Sequence, residues 1–587
     1  MLDTHIVNIK NEVDNWLLSF NEAISDKISK TDSIENLNKL FFENSHWRDI
    51  LALTWQIQTT SGKQNIIPKL YDNILNVIAK DFVIDPQRTQ PREVIRAGKN
   101  VVEVILKFKT KFGYCEGVVR LYEDSEASGT FKAWNFLTAL SDLNSSFNKK
   151  EDQYENTLEG PNWLDVRKED RLYKDRDPEV LVVGSGQAGL SIAARLKQQN
   201  IDTLVVDKNE RVGDNWRNRY HSLKLHNQTH VNHLPYMPFP PTWPTYIPKD
   251  KLAGWFEYYA ESMELNVWTK TTFISAEYDK AEKNWNVKLK LSDGNERIMK
   301  PKHIVMAVGV SSVPNRTKIP GMEGYKGKVI HSTDYSNGRD YKGKNVLVFG
   351  TGTSAHDVAQ DLYVHGATVK IVQRSPSMVV NVEPSAQLPY QLYREGPNTD
   401  DCDLITISSP LTVLKKTHQL LTEKTKEIDR PLLDKLEEVG FRLEYGEENT
   451  GWQFKYLTRG GGYYFNVGAS DLIAERKIKV IQFSDIINFN PSGIEMKSGD
   501  NFDIDLMVTA TGYKGQEYVV EEFFGKAVVE KVGPIWGFDN DRQELRNMWM
   551  QTNQPGLWFH AGSLAQCRIF SKFLALQIRA IQDGIVI

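Results

Sequence analysis

Two short glycine-rich stretches carry the residues whose spacing has the clearest chemical purpose. The first, VLVVGSGQAGL, sets Gly184, Gly186 and Gly189 in the pattern G-x-G-x-x-G behind a β-branched run. In such a turn the first glycine permits the tight bend, the second lets backbone approach a pyrophosphate, and the third lets the following helix lie close to its strand. Gln187 and Ala188 then stand at a helix amino terminus, which favours phosphate charge. The next predicted strand, TLVVDK, ends in Asp207 and Lys208, with the acid placed to bind ribose hydroxyls. The second stretch, VLVFGTGTSAHD, repeats the pattern with Gly350, Gly352 and Ala355 and puts Thr353 and Ser354 at the helix start. Its following strand, ATVKIVQRSP, ends in Arg374 and Ser375 where the first ended in an acid. A guanidinium there suits a ribose 2′-phosphate through paired hydrogen bonds. Two dinucleotides meeting in one chain make the best redox sense as a flavin and a nicotinamide, predicted here as FAD on the first turn and NADPH on the second.

Turns of this kind need parallel sheets behind them. From Glu179 onward short apolar runs, glycine turns and helical patterns alternate, which predicts an α/β fold with two Rossmann-type units. Before them, residues 1–150 open with an amphipathic helix carrying Val13, Trp16, Leu17 and Phe20 and continue through the apolar-rich segment FFENSHWRDILALTW, whose Trp47, Arg48 and Asp49 are read as helix-surface and packing residues. Leu106, Phe108, Phe112 and Tyr114 are expected on one face of a strand, with further strands at Val118–Tyr122 and Thr130–Phe136, giving an α+β unit with an antiparallel sheet. The charged residues 151–178 are expected to be a linker or surface strap. The predicted organisation is therefore 1–150, the linker 151–178, a first part of the FAD-binding unit at 179–312, the NADPH-binding unit at 313–506, and the rest of the FAD-binding unit at 507–587.

Composition narrows the partners. A chain of 587 residues is too long for one core. Its formal charge of −4 offers no basic field for nucleic acid, and its three cysteines lack the spacing of a dithiol centre or a disulfide framework. No run is long and apolar enough to suggest a membrane span, and the amino terminus does not read as a signal peptide, so the expectation is a cytoplasmic protein with neither nucleic acid nor membrane as a partner.

With these features placed, a third stretch acquires meaning. YKGKVIHSTDY resembles the motif F-x-G-x-x-x-H-x-x-x-(Y/F) of class B flavin-dependent monooxygenases, the flavin-containing monooxygenase group, as Tyr325-x-Gly327-x-x-x-His331-x-x-x-Tyr335 with tyrosine for the first phenylalanine. The resemblance spans roughly Glu179 to the carboxyl end. RVGDNWRNRY, with Trp216 and Arg217, is similar to the group's flavin-proximal G-G-x-W stretch, Asp214 replacing the second glycine. The run from Tyr220 to Lys249 is similar to YUCCA-type enzymes, which oxidatively decarboxylate arylpyruvates, and VTATGY resembles a late motif on a strand returning the chain to the FAD unit.

The resemblance implies that NADPH reduces FAD, that the reduced flavin and O2 form a C4a-(hydro)peroxyflavin, and that a small organic substrate is oxygenated. N- or S-oxygenation and arylpyruvate decarboxylation both stay open, as do Baeyer–Villiger chemistry and a non-catalytic FAD-binding scaffold. It places His226 or Asn227 beside the flavin, gives His331 and Tyr335 a role in positioning the units and the nicotinamide, and puts Gly562 and Ser563 at the flavin. At that last position a helix amino terminus would stabilise anionic reduced flavin. Residues 1–150 resemble SnoaL-like domains of the nuclear-transport-factor-like superfamily, which implies a scaffolding or lid role and homo-oligomerisation through this unit.

Overall fold

The computed structural model describes residues 2–125, 129–144, 160 and 162–586. The amino-terminal helix Leu2–Ala23 buries Val13, Trp16, Leu17 and Phe20 against Phe41, Phe82 and Phe136 of a seven-stranded sheet. Trp16 and Phe20 stack with ring centroids 5.2 Å apart, and Phe20 meets Phe82 edge-on at 5.0 Å. The sheet runs in the order Ile57–Ser61, Phe41–Ile50, Phe131–Leu143, Gly113–Glu123, Lys99–Lys109, Lys80–Ile84, with Arg92–Arg96 also paired to Lys99–Lys109.

Three expectations for this unit are corrected. Trp47, Arg48 and Asp49 lie on the strand Phe41–Ile50, not on a helix. The sheet is mixed, because Phe41–Ile50 pairs in parallel with Phe131–Leu143 while the other pairs are antiparallel. Leu106 and Phe108 are buried on one strand, but a hairpin separates them from Tyr114, which is exposed on the next.

Of the expected linker, residues 151–159 and 161 lie outside the described residues. From Trp163 the chain is seated rather than free: Arg167 is buried and donates to Asn266 Oδ1 at 3.0 Å and to the Glu264 carbonyl at 2.7 Å. Tyr173 is fully buried and its hydroxyl donates to Asp202 at 2.8 Å. The charges that suggested a solvated strap are the means by which it docks.

Two five-stranded sheets follow, each parallel throughout. The first runs Asn266–Trp268, Thr203–Val206, Val180–Val183, His303–Met306, Leu557–Phe559. The second runs Lys328–His331, Leu506–Thr509, Asn345–Phe349, Thr368–Gln373, Lys479–Gln482. Central strands with both faces covered read as unbroken apolar runs, as VLVV and NVLVF do. The strand Leu506–Thr509 belongs to the second sheet, so only the first two residues of VTATGY lie on a strand, and Ala510 to Tyr513 begin the connection that returns to the first unit. The outgoing and returning connections pair with each other. Asn315 N–H donates to the Gly512 carbonyl and Lys514 N–H to the Val313 carbonyl, both at 2.9 Å.

Candidate active site

Each glycine turn is built by its own sterics. Gly184 has φ +106°, and a Cβ there would stand 2.7 Å from the Ala307 carbonyl oxygen; a Cβ on Gly189 would stand 1.8 Å from the Gly184 carbonyl oxygen. Asp207 is tied to the same turn, its Oδ2 accepting from the Ser185 amide and hydroxyl, both at 2.7 Å, and its Oδ1 from the Asn209 amide at 2.8 Å. Lys208, its neighbour, is exposed.

Three distant segments converge on this turn. Trp216 Nε1 donates to Gln187 Oε1 at 3.2 Å, and Gln187 Nε2 donates to the Gly562 carbonyl at 3.4 Å. Gly562, at φ +126°, leads into Ser563, which caps the helix Leu564–Gln582 in a reciprocal capping box with Gln566. That 19-residue helix therefore aims its positive end at the place where Gln187, Trp216 and Gly562 meet. Tyr456 joins them by donating to Gln566 Oε1 at 3.0 Å, a contact no local pattern announces. Arg217 differs from its expected role: its guanidinium is taken up by Asp214, Glu257 and the Val212 carbonyl, which fixes the loop it sits on.

At the second turn Gly350 has φ +116° and packs against the Ala510 carbonyl, while Ala355 is fully buried. Thr353 donates to the Tyr463 carbonyl at 3.0 Å, so the helix Thr353–Val364 starts with its side chain engaged and its backbone donors open, next to Ser354. Beyond the neighbouring strand Arg374 and Ser375 are exposed. Arg442, also exposed, donates to the Arg374 carbonyl at 2.7 Å, so a second guanidinium stands at the predicted 2′-phosphate position. Its loop is remote in sequence, and nothing in the sequence pattern singles it out.

The motif Tyr325 to Tyr335 contains an edge strand of the second sheet, Lys328–His331. The Tyr325 hydroxyl donates to the Ile504 carbonyl at 2.8 Å, and its ring covers Gly327 so closely that a Cβ there would stand 2.3 Å from Tyr325 Cζ. Tyr335 is buried, its hydroxyl donating at 2.6 Å to Asp361 of the helix that begins at the second turn, so it fixes that helix. His331 is buried beside the paired connections; burial and the nearby Arg316 lower its pKa, and the ring is 6.2 Å from that of Tyr513. The Tyr513 hydroxyl is buried without a hydrogen-bond partner among the described residues.

His226 and Asn227 diverge. The His226 ring lies edge-on to Phe465 at 5.5 Å and faces a cleft of about 560 Å³ between the two units, lined also by Leu223, Lys224, Asp357 and Gln360. Asn227 Nδ2 donates to the Tyr390 hydroxyl at 3.1 Å, where Tyr390, Trp452, Tyr463 and Phe465 form an aromatic wall with Trp452 and Phe465 rings 4.7 Å apart. Burial pushes the Tyr390 hydroxyl up to about 12, so it stays protonated.

The pyridine nucleotide-disulphide oxidoreductase family matches residues 181–394. Cys115, Cys402 and Cys567 are nevertheless buried and unbonded. Among curated proteins, the probable indole-3-pyruvate monooxygenase YUCCA7 of Arabidopsis thaliana is 31% identical over 60% of this chain and 78% of its own length. The indole-3-pyruvate monooxygenase YUCCA1 of Oryza sativa subsp. japonica is 30% identical over 57% and 77%. Among solved structures, a cyclohexanone-bound cyclohexanone monooxygenase has a TM-score of 0.51 at 15% identity, covering 70% of this chain and 88% of that one. A steroid monooxygenase bound to NADP has 0.50 at 17%, covering 70% and 85%; these two speak for the fold. No helix among the described residues is long and apolar enough to cross a membrane. Paired dinucleotide turns, the motif at the edge of the second sheet and the extent of the YUCCA similarity lead to one assignment: the chain belongs to the flavin-dependent monooxygenase family that contains the YUCCA enzymes, and it is an FAD-dependent enzyme that takes its electrons from NADPH.

Proposed function

We propose that this enzyme oxidatively decarboxylates an arylpyruvate-type 2-oxo acid. The observation that carries this reading is the aromatic wall of Tyr390, Trp452, Tyr463 and Phe465 facing Asn227, within a chain similar to indole-3-pyruvate monooxygenases. Bound FAD supplies the redox chemistry, passing two electrons from NADPH to O2 so that one oxygen atom enters the substrate and the other leaves as water. The balance is arylpyruvate, O2, NADPH and a proton giving arylacetate, CO2, NADP⁺ and water.

The chain's own residues would hold and exclude. The first turn with Asp207 and the helix amino terminus at Ser563 would hold FAD, and the second turn with Arg374 and Arg442 would hold NADPH. Asn227, oriented by Tyr390, would present a neutral polar group at the reacting face, while the wall keeps water out. The amino-terminal unit is read as SnoaL-like, supported by its three helices laid against a mixed sheet, and the enzyme as cytoplasmic.

The test supplies FAD-loaded protein with NADPH, O2 and phenylpyruvate or indole-3-pyruvate. One arylacetate and one CO2 per NADPH is expected. Hydrogen peroxide alone with every arylpyruvate, together with sulfoxide formation from an aryl methyl sulfide, would replace this reading with S-oxygenation.

A further inference from the structure

The segment from Ser385 to Ser409 touches both the candidate active site and the amino-terminal unit. Its first part, the 3₁₀ stretch Ser385–Arg394, grips the loop that carries Asn227 through three side chains. Gln387 Nε2 donates to the His226 carbonyl at 2.9 Å, the Tyr390 hydroxyl accepts from Asn227, and Arg394 donates to Gln228 Oε1. The very next residue, Glu395, turns the other way. It accepts from Arg92 Nη2 at 3.1 Å and from Arg96 Nη1 and Nη2 at 3.1 and 2.9 Å, both arginines of the amino-terminal sheet.

Farther along, Asp401 is buried and accepts from the Thr89 amide at 2.8 Å and from Arg88 Nε. The arginines are themselves held. Arg92 and Arg96 donate to Glu103, which is buried and also accepts from Arg120 Nε at 2.9 Å. A fixed cationic pair therefore meets a carboxylate one residue away from the side chain that holds the Asn227 loop. Bidentate contacts of this kind specify geometry as well as affinity.

We propose that the amino-terminal unit is a positioning clamp for the oxygenation site, with Arg92 and Arg96 acting through Glu395 to seat Arg394 and Tyr390 against the Asn227 loop. The inference rests on the reading that flavin lies beside Asn227. It gives the unit a task inside the catalytic cycle: holding the wall closed so that electrons from NADPH reach substrate rather than escaping as hydrogen peroxide.

The experiment compares full-length, FAD-loaded parent protein with Glu395→Asp, Glu395→Gln and Glu395→Lys. Two quantities are read: hydrogen–deuterium exchange of backbone amides at 226–232 and 385–395, and hydrogen peroxide formed per NADPH consumed with O2 and phenylpyruvate present. A small displacement of catalytic groups costs about tenfold or more, so Glu395→Lys, which repels Arg92 and Arg96, is expected to raise peroxide formation about tenfold. Exchange at 226–232 should rise with it, Glu395→Gln falling between and Glu395→Asp staying near the parent. Exchange and peroxide formation unchanged in Glu395→Lys would overturn the clamp; should that variant not fold, the same pair of results in Glu395→Gln decides. A parent protein that does not oxidise NADPH would refute the reading of the site, while the exchange measurement would still test the clamp.

Discussion

Replacing Gly352 by alanine should weaken NADPH binding while leaving the fold intact, and the two effects can be predicted separately. Gly352 has φ −88° and ψ −176°, extended backbone that alanine adopts freely. The nearest atom to a Cβ there is the Tyr463 carbonyl oxygen at 3.9 Å, an ordinary contact. Nothing inside the protein therefore requires glycine, and stability should change by no more than about 0.5 kcal/mol. What remains is the close approach of a pyrophosphate to that backbone. A methyl group forced into such a contact costs about 1–3 kcal/mol, which at about 1.4 kcal/mol per tenfold is a loss of roughly 5- to 150-fold in affinity. The assay titrates NADP⁺ against the FAD-loaded protein and records thermal unfolding beside it. Gly350→Ala is the contrast, because φ +116° and a Cβ at 2.7 Å from the Ala510 carbonyl oxygen make it a folding defect. An unchanged NADP⁺ dissociation constant in Gly352→Ala would refute the assignment of this turn to the nucleotide.

The remaining predictions concern charge. Arg374→Ala combined with Arg442→Ala should lower the NADPH:NADH preference by about tenfold or more, since each guanidinium offers charge-assisted hydrogen bonds to a 2′-phosphate; an unchanged ratio of kcat/KM values would remove them from coenzyme choice. Arg48 donates to Glu544 Oε1 at 2.8 Å and to the Ile407 carbonyl at 2.6 Å across the interface between the amino-terminal unit and the catalytic core. Arg48→Ala strands a nearly buried carboxylate and should cost about 3–5 kcal/mol of stability, whereas a variant with both partners apolar should come close to the parent in thermal unfolding. Burial raises the pKa of Glu103, but Arg120, Arg96 and Arg92 outweigh it and hold the carboxyl at about 2. A folded value below the ordinary 4.5 means stability that is present above pH 4.5 and lost as pH falls from there towards 2, roughly 3 kcal/mol in all. Glu103→Gln should abolish that part of the acid transition in a pH series of denaturant unfolding curves.

What was legible in the sequence is what folds locally. A strand, a glycine turn and a helix lie within one short stretch, and the reason for each glycine is a neighbour a few residues away, as when Gly189 packs on the Gly184 carbonyl. The amino-terminal strand Phe41–Ile50 was hidden for the opposite reason. Both of its faces are covered, Trp47 and Asp49 by their own unit and Arg48 by the catalytic core, so the polar alternation that marks a half-exposed strand is absent. Arg92, Arg96, Asp401 and Glu395 are singled out by no motif or spacing in the sequence. Glu103 lies near Arg92 and Arg96 in sequence, but the partners these charges meet across the interface lie 299 to 312 residues away, where a sequence window cannot see them.

The motif from Tyr325 to Tyr335 joins these two cases. Its glycine is explained within the motif, by the Tyr325 ring lying across Gly327, but its other members act at a distance. Tyr325 ties the edge strand to Ile504 just before the crossover, His331 sits beside the paired connections, and Tyr335 fixes Asp361 on the helix behind the second nucleotide turn. Tyr325 and Tyr335 both hold to the second unit, so the spacing is set by how that unit is braced where the chain crosses over. Under the proposed function the substrate is chosen elsewhere, at the wall facing Asn227, whose members come from three separate segments, one of them tied to the amino-terminal unit. Chemistry is therefore readable from local spacing in this chain, and specificity from contacts that form only when the whole chain has folded.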